Sequence, residues 1–114
     1  MRIVGGKYKS YIIPTSKKIK ARPTTDMAKE ALFNILENKI DFNQIYVLDL
    51  FCGTGNISYE FASRGVKEIT AVDHQINALQ FIQKQSFHWG MNINTKKKNA
   101  LSFLEITDDK YDVI

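Results

Sequence analysis

The 114-residue sequence has one cysteine, two prolines and two histidines. A single thiol, Cys52, can form neither an internal disulfide nor a cysteine metal cluster, and inside a glycine turn it reads as a space-filler rather than a nucleophile. Neither His74 nor His88 has a second ligand at metal-binding spacing, so no metal site is expected. No apolar run approaches the roughly 18 residues of a membrane-spanning helix. The N-terminus, Met1-Arg2-Ile3-Val4-Gly5-Gly6, has no signal-peptide core. These absences predict a cytoplasmic protein with no membrane partner. A composition of 44% hydrophobic and 25% charged residues is that of an ordinary globular chain, long enough for one domain with a modest core.

Charge is unevenly placed. Residues 1–40 hold nine Lys/Arg against three Asp/Glu, whereas residues 41–114 hold seven against nine, and the net charge is +4. A basic patch confined to the N-terminal third points to a polyanion, and no basic amphipathic helix accompanies it to favour a membrane surface.

The stretch that organises the rest is Tyr46-Val47-Leu48-Asp49-Leu50-Phe51-Cys52-Gly53-Thr54-Gly55-Asn56-Ile57. An apolar, β-branched run ending in an acid predicts a buried strand, Gly53 and Gly55 a tight turn, and Asn56 onward a helix closed by Gly65. Without side chains, the two glycines let backbone approach a ligand. A second apolar run, Glu68-Ile69-Thr70-Ala71-Val72, delivers Asp73, close to the roughly 20-residue spacing at which a βαβ nucleotide site places a ribose-binding acid. The dinucleotide fingerprint G-x-G-x-x-G would need a third glycine where Ser58 stands. A carboxylate at Asp49 would also repel a pyrophosphate, while it suits a ligand bearing an ammonium group.

The segment Asp49-Leu50-Phe51-Cys52-Gly53-Thr54-Gly55 resembles motif I of the class I S-adenosylmethionine (AdoMet) methyltransferases, and Asp73 is similar to the acid that holds the cofactor's ribose. The resemblance implies an α/β, Rossmann-like fold.

Upstream, Arg2 to Pro14 alternates apolar and basic positions about Gly5-Gly6, predicting a short hairpin or two extended pieces. Lys7, Lys9, Lys17, Lys18, Lys20 and Arg22, interleaved with Tyr8 and Tyr11, form a ribbon suited to phosphates and unpaired bases; the plainer reading packs the tyrosines on the domain. We place this basic arm at residues 1–23 and the cofactor domain at 24–114. Pro23 holds Arg22 extended, and Thr24 or Thr25 caps a helix whose apolar stripe is Met27, Ala31, Leu32, Ile35, Leu36 and Ile40, with Lys29 outside it.

Taken in order, Arg2-Ile3-Val4-Gly5-Gly6, Arg22-Pro23-Thr24-Thr25-Asp26, Lys29-Glu30-Ala31-Leu32-Phe33-Asn34-Ile35-Leu36 and the glycine motif resemble the RsmD-like family of bacterial small-subunit rRNA guanine-N2 methyltransferases. That resemblance implies AdoMet as methyl donor, 16S rRNA or the small ribosomal subunit as partner, and a monomer when complete. By the same resemblance Asp49, Phe51, Gly53, Gly55, Asp73, His74, Asn99 and Ala100 line the cofactor, and Arg2, Lys7, Lys9, Arg22 and Thr24 meet RNA. Met27 stands where many members carry Arg, and Ser10 where a glycine is common.

Downstream, Gln75 to Trp89 reads as a helix stopped by Gly90, with Ile76, Leu79, Phe81 and Ile82 on or near its buried face and His88 and Trp89 as packing residues. Met91 to Lys98 reads as a third strand, Leu101 to Ile106 as a short helix and Tyr111 to Ile114 as the opening of a fourth strand. The fold is expected to be truncated there, leaving an apolar edge and face open. Enzymes that methylate exocyclic amines carry Asp/Asn-Pro-Pro-Tyr/Phe at the tip of that strand. The only prolines here are Pro14 and Pro23, so no catalytic residue is assigned and the 114-residue chain is expected to be inactive. Two other readings share parts of this pattern. An adenine-N6 DNA methyltransferase shares the cofactor half but not the Arg22–Asp26 arm, and a non-catalytic RNA-binding remnant needs only the basic ribbon.

Overall fold

The computed structural model describes residues 1–20, 22 and 24–114. The expectation that Pro23 holds the chain extended lies outside the described residues. Helix α1 (Asp26–Glu37) and a 3-10 turn (Phe42–Gln44) lead into β1 (Tyr46–Leu50). Then follow α2 (Asn56–Ser63), β2 (Glu68–Asp73), α3 (Ile76–Trp89), β3 (Ile93–Lys97) and α4 (Ala100–Ile106). The strands form a parallel sheet in the order β1-β2-β3, with Asp49 level with Ala71 and Ala71 with Thr95. Each parallel step requires a crossover, which α2 and α3 supply. No helix among the described residues is long and apolar enough to cross a membrane.

The end of the chain decides where the site lies. Val113 bridges Val47 in parallel on the free edge of β1, with Leu48 N–H donating to the Val113 carbonyl at 2.9 Å and Asp112 N–H to that of Tyr46 at 2.8 Å. The expected fourth strand is therefore present as a single bridge. Because β2 lies on one side of β1 and this segment on the other, the sheet changes direction at β1. Open α/β sheets bind ligands at the carboxyl end of the strands beside such a point.

One face of the sheet is well covered. Val47, Ile69, Ala71 and Ile93 pack with Phe33, Tyr59, Leu79 and Ile82, and the arm contributes Ile3 and Ile13 to the same core. The opposite face holds a small cluster of Leu48, Val72 and Phe103. An apolar groove of about 430 Å³ also runs beside β1, lined in part by Leu32, Leu36, Phe51, Ile57 and Ile114.

Helix α1 departs from its expected face. Thr25 is the cap, its hydroxyl accepting from Ala28 N–H at 3.2 Å, but the helix buries Lys29 and Phe33 while Met27 is 82% exposed and Ala31 and Ile35 face outward. Lys29 can be inside because Glu60 on α2 meets it there, a partner that helical periodicity does not register. In α3, Ile76 and His88 are likewise exposed and Phe81 is half-buried, while Ala78, Leu79, Ile82 and Ser86 form the inner face. Trp89 packs as expected, edge-on to Tyr59 and Tyr11.

The arm comprises two extended pieces joined by one antiparallel bridge, Arg2 to Ile12. Its turn needs Gly6, whose φ is +78° and whose Cβ, if present, would strike the Ser63 carbonyl. Ser10 has φ +75° and is exposed, a conformation that disfavours an L side chain by about 1–2 kcal/mol. This explains why glycine would suit that position. Ser10→Gly is expected to raise the urea unfolding free energy by about 1 kcal/mol with the m-value unchanged; an unchanged or lower midpoint would refute the strain.

Candidate cofactor site

Both predicted acids lie on one face of the sheet. Asp49 is level with Ala71, side chains two apart in a strand share a face, and Asp73 follows Ala71 by two. The corner between them is built by backbone. Cys52 N–H donates to the Val72 carbonyl at 3.1 Å, extending the ladder past β1, and Gly55 N–H then closes a turn on the Cys52 carbonyl at 2.9 Å. Gly55 has φ +88°, and a Cβ there would lie 2.8 Å from Ile82 Cγ1 and 2.9 Å from the Tyr59 ring. Phe51, at φ +56° and 76% exposed, projects from the tip.

Asp73 ties the corner together. Its carboxylate is only 6% exposed; Oδ2 accepts from Gly53 N–H at 3.0 Å and Oδ1 from Gln75 N–H at 2.9 Å. The Gly53 amide thereby orients the acid. His74 is exposed, with Nδ1 3.5 Å from Asp73 Oδ1. On the other strand, Asp49 Oδ2 accepts from the Ser58 hydroxyl at 2.7 Å. Burial pushes the Asp49 carboxyl up to about 6, against the pull of hydrogen bonding from Ser58. Burial, reinforced by Asp49 and Asp73, also raises the Cys52 thiol, so it stays protonated and unreactive.

Lys98 N–H donates to the Asp73 carbonyl at 3.1 Å, which draws the start of α4 to the same corner. Asn99 caps that helix, its Oδ1 accepting from Leu101 N–H at 2.9 Å and Ser102 N–H at 3.4 Å. The amide oxygen is thus engaged by the cap, and the NH2 remains to donate. Ala100 is buried beneath it.

The family described as "Conserved hypothetical protein 95" matches residues 1–114. The chain belongs to the RsmD-like methyltransferase family. It is 36% identical to a methylase of Rickettsia prowazekii that carries no assigned function, over 94% of this chain and 49% of that protein. It is 30% identical to ribosomal RNA small subunit methyltransferase D of Buchnera aphidicola, over 100% of this chain and 58% of that one. The solved structure of yhhF, described as a methyltransferase of Escherichia coli, superposes with a TM-score of 0.76 at 29% identity, covering 91% of this chain and 55% of its own. The fold is that of the class I methyltransferases, and the chain spans about half the length of the curated relatives it matches.

In this RsmD-like chain several motif residues do structural work. Arg2 pairs with Asp26, its Nε 3.8 Å from Oδ2 and its backbone N–H donating to Oδ1 at 3.2 Å. Gly5 and Val4 donate their amides to Glu60. Tyr8 donates its hydroxyl to the Trp89 carbonyl at 2.8 Å and packs edge-on to Tyr11, so the Tyr8 ring is held by the domain. Lys7 lies over that ring at 5.4 Å, while Lys9 and Arg22 are exposed. Two sets of hydrogen bonds hold Lys20 and Thr24 at the corner. Lys20 and Gln75 exchange backbone–side-chain bonds of 3.0 Å each, and the Thr24 carbonyl accepts from Asn56 Nδ2 at 2.9 Å.

Ser58, Gln75, Asn56 and Lys29 were not singled out by sequence reasoning. Ser58 alone left a signal, a small hydroxylated residue in the slot where a dinucleotide site has its third glycine.

Proposed function

We propose that residues 1–114 form the AdoMet-binding and RNA-contacting part of an rRNA methyltransferase whose complete form methylates the N2 amine of a guanine in 16S rRNA. One observation carries the reading: two carboxylates on one face of the sheet flank a glycine corner where strand order reverses. The similarity to ribosomal RNA small subunit methyltransferase D supports the rRNA substrate.

The donor set fits the cofactor. A carboxylate at Asp73, oriented by two amides and retaining lone pairs, can accept from a ribose diol. Asp49, with one oxygen held by Ser58, can meet an ammonium group, and the Asn99 NH2 can donate to an adenine ring nitrogen. Bound there, AdoMet would supply an electrophilic methyl on a sulfonium. The guanine amine is a weak nucleophile, so transfer depends on orientation, and a base within a duplex would have to be extruded. Arg22, Lys7 and Lys9 are exposed and would neutralise RNA phosphates, Arg2 would do so only on leaving Asp26, and Thr24 would serve through its carbonyl, which accepts from Asn56.

The residues expected to hold the target amine, an acid-Pro-Pro-aromatic tetrapeptide, do not occur in this sequence. Incubated with methyl-labelled AdoMet and small ribosomal subunits, the 114-residue chain is expected to bind the cofactor by calorimetry and leave the rRNA unlabelled. Label on a guanine amine would refute the incompetence of the chain, and absence of any AdoMet binding would refute the cofactor assignment.

A further inference from the structure

We infer that Ser58 is a positioning residue for the methionine end of the cofactor, acting through Asp49. The inference rests on the AdoMet reading above. Ser58 is fully buried on the inner face of α2, and its hydroxyl lies 2.7 Å from Asp49 Oδ2. A hydroxyl bonded to a carboxylate acts as donor, so this contact favours the charged form and fixes the rotation of the carboxyl group. Oδ1 has no side-chain hydrogen-bond partner among the described residues and is the oxygen left for a cation.

The Ser58 backbone N–H adds to the pull of its hydroxyl, and the remaining surroundings oppose the charge. From β2 comes the like charge of Asp73 and from the turn the Cys52 thiol, while α1 and the last residues of the chain present Leu32, Leu36, Val113 and Ile114 to the groove that Asp49 shares. Burial alone would therefore protonate Asp49 at a higher pH, and a neutral carboxyl cannot pair with an ammonium group. With a midpoint of about 6, Asp49 is mostly charged at pH 7. Removing the Ser58 hydroxyl moves the midpoint upward, so the loss in affinity is largest near neutrality and shrinks as pH rises.

Binding of AdoMet and of 5′-methylthioadenosine, which lacks the amino-acid end, is measured by calorimetry from pH 5.5 to 8.5 for the wild type, Ser58→Ala and Asp49→Asn. These limits run from about half a unit below the Asp49 midpoint to about 2.5 units above it. Ser58→Ala is expected to weaken AdoMet about tenfold at pH 7. It should recover most of that at pH 8.5 and bind 5′-methylthioadenosine as the wild type does. Asp49→Asn should weaken AdoMet at every pH above the Asp49 midpoint and, unlike Ser58→Ala, recover nothing at pH 8.5. A pH-independent loss in Ser58→Ala, an equal loss for both ligands or no loss at all would overturn the role of Ser58 while leaving the cofactor reading intact. Failure of the wild type to bind either ligand would overturn the cofactor reading and this inference together. Carbon NMR of the Asp49 carboxyl gives a ligand-free check: its midpoint should be higher in Ser58→Ala, and an unmoved midpoint counts against the inference.

Discussion

Glu60→Ala is expected to destabilise the chain by about 3–5 kcal/mol, the range for breaking a buried ion pair from one side. Glu60 and Lys29 are both 0% exposed, with Nζ 3.4 Å from Oε1. Burial lowers the Lys29 pKa and Glu60 pulls it back up, so removing the carboxylate leaves an ammonium with only the Arg2 carbonyl at 2.6 Å and Asn56 Oδ1 at 2.7 Å. The same truncation orphans the Val4 and Gly5 amides and frees Arg64 Nε, which lies 2.8 Å from Oε2. For a domain whose total stability is of order 5–15 kcal/mol, such a loss is large. Urea unfolding should show it, and hydrogen exchange should show the Val4 and Gly5 amides losing protection first as the arm detaches. Glu37→Ala, which removes an exposed partner of Arg64 at 3.1 Å, should shift stability by no more than about 1 kcal/mol. A Glu60→Ala protein as stable as Glu37→Ala would show that the arm is not held by this network.

The second large effect belongs to Asp73. Asp73→Ala is expected to abolish measurable AdoMet binding and to remove about 2–4 kcal/mol of stability. The stability term follows from the two loop amides, Gly53 and Gln75, that lose their acceptor in a buried corner, each at about 1–3 kcal/mol. In the proposed cofactor site, the binding term is the loss of a charged acceptor for the ribose hydroxyls. Loss of hydrogen bonds worth about 1.5–3 kcal/mol each corresponds to roughly hundredfold weaker binding or more. Asp73→Asn separates the two, because a carboxamide keeps one acceptor oxygen and can hold only one of the loop amides. It should recover part of the stability and little of the affinity. Calorimetry alongside unfolding curves distinguishes these outcomes, and a folded Asp73→Ala chain with wild-type AdoMet affinity would place the ribose elsewhere.

The sequence by itself determined the order of elements, the corner and the two acids that flank it. These were legible because strand alternation, helical spacing and paired glycines are local patterns, readable within a dozen residues. The left-handed φ at Gly55 and the cap at Asn99 follow from the same short-range rules, whereas the closeness of Ile82 to Gly55 does not. Only the tertiary structure decided which charges go inside and what each acid does with its oxygens. Lys29 looks like a solvated lysine until Asn56, 27 residues on, and Glu60 surround it, and the Gly5-Gly6 turn looks like a free hairpin until Ser63 and Glu60 receive its backbone. Charge burial depends on a partner at hydrogen-bond distance, and the partners here come from elements that are distant along the chain and meet only when the helices close over the sheet.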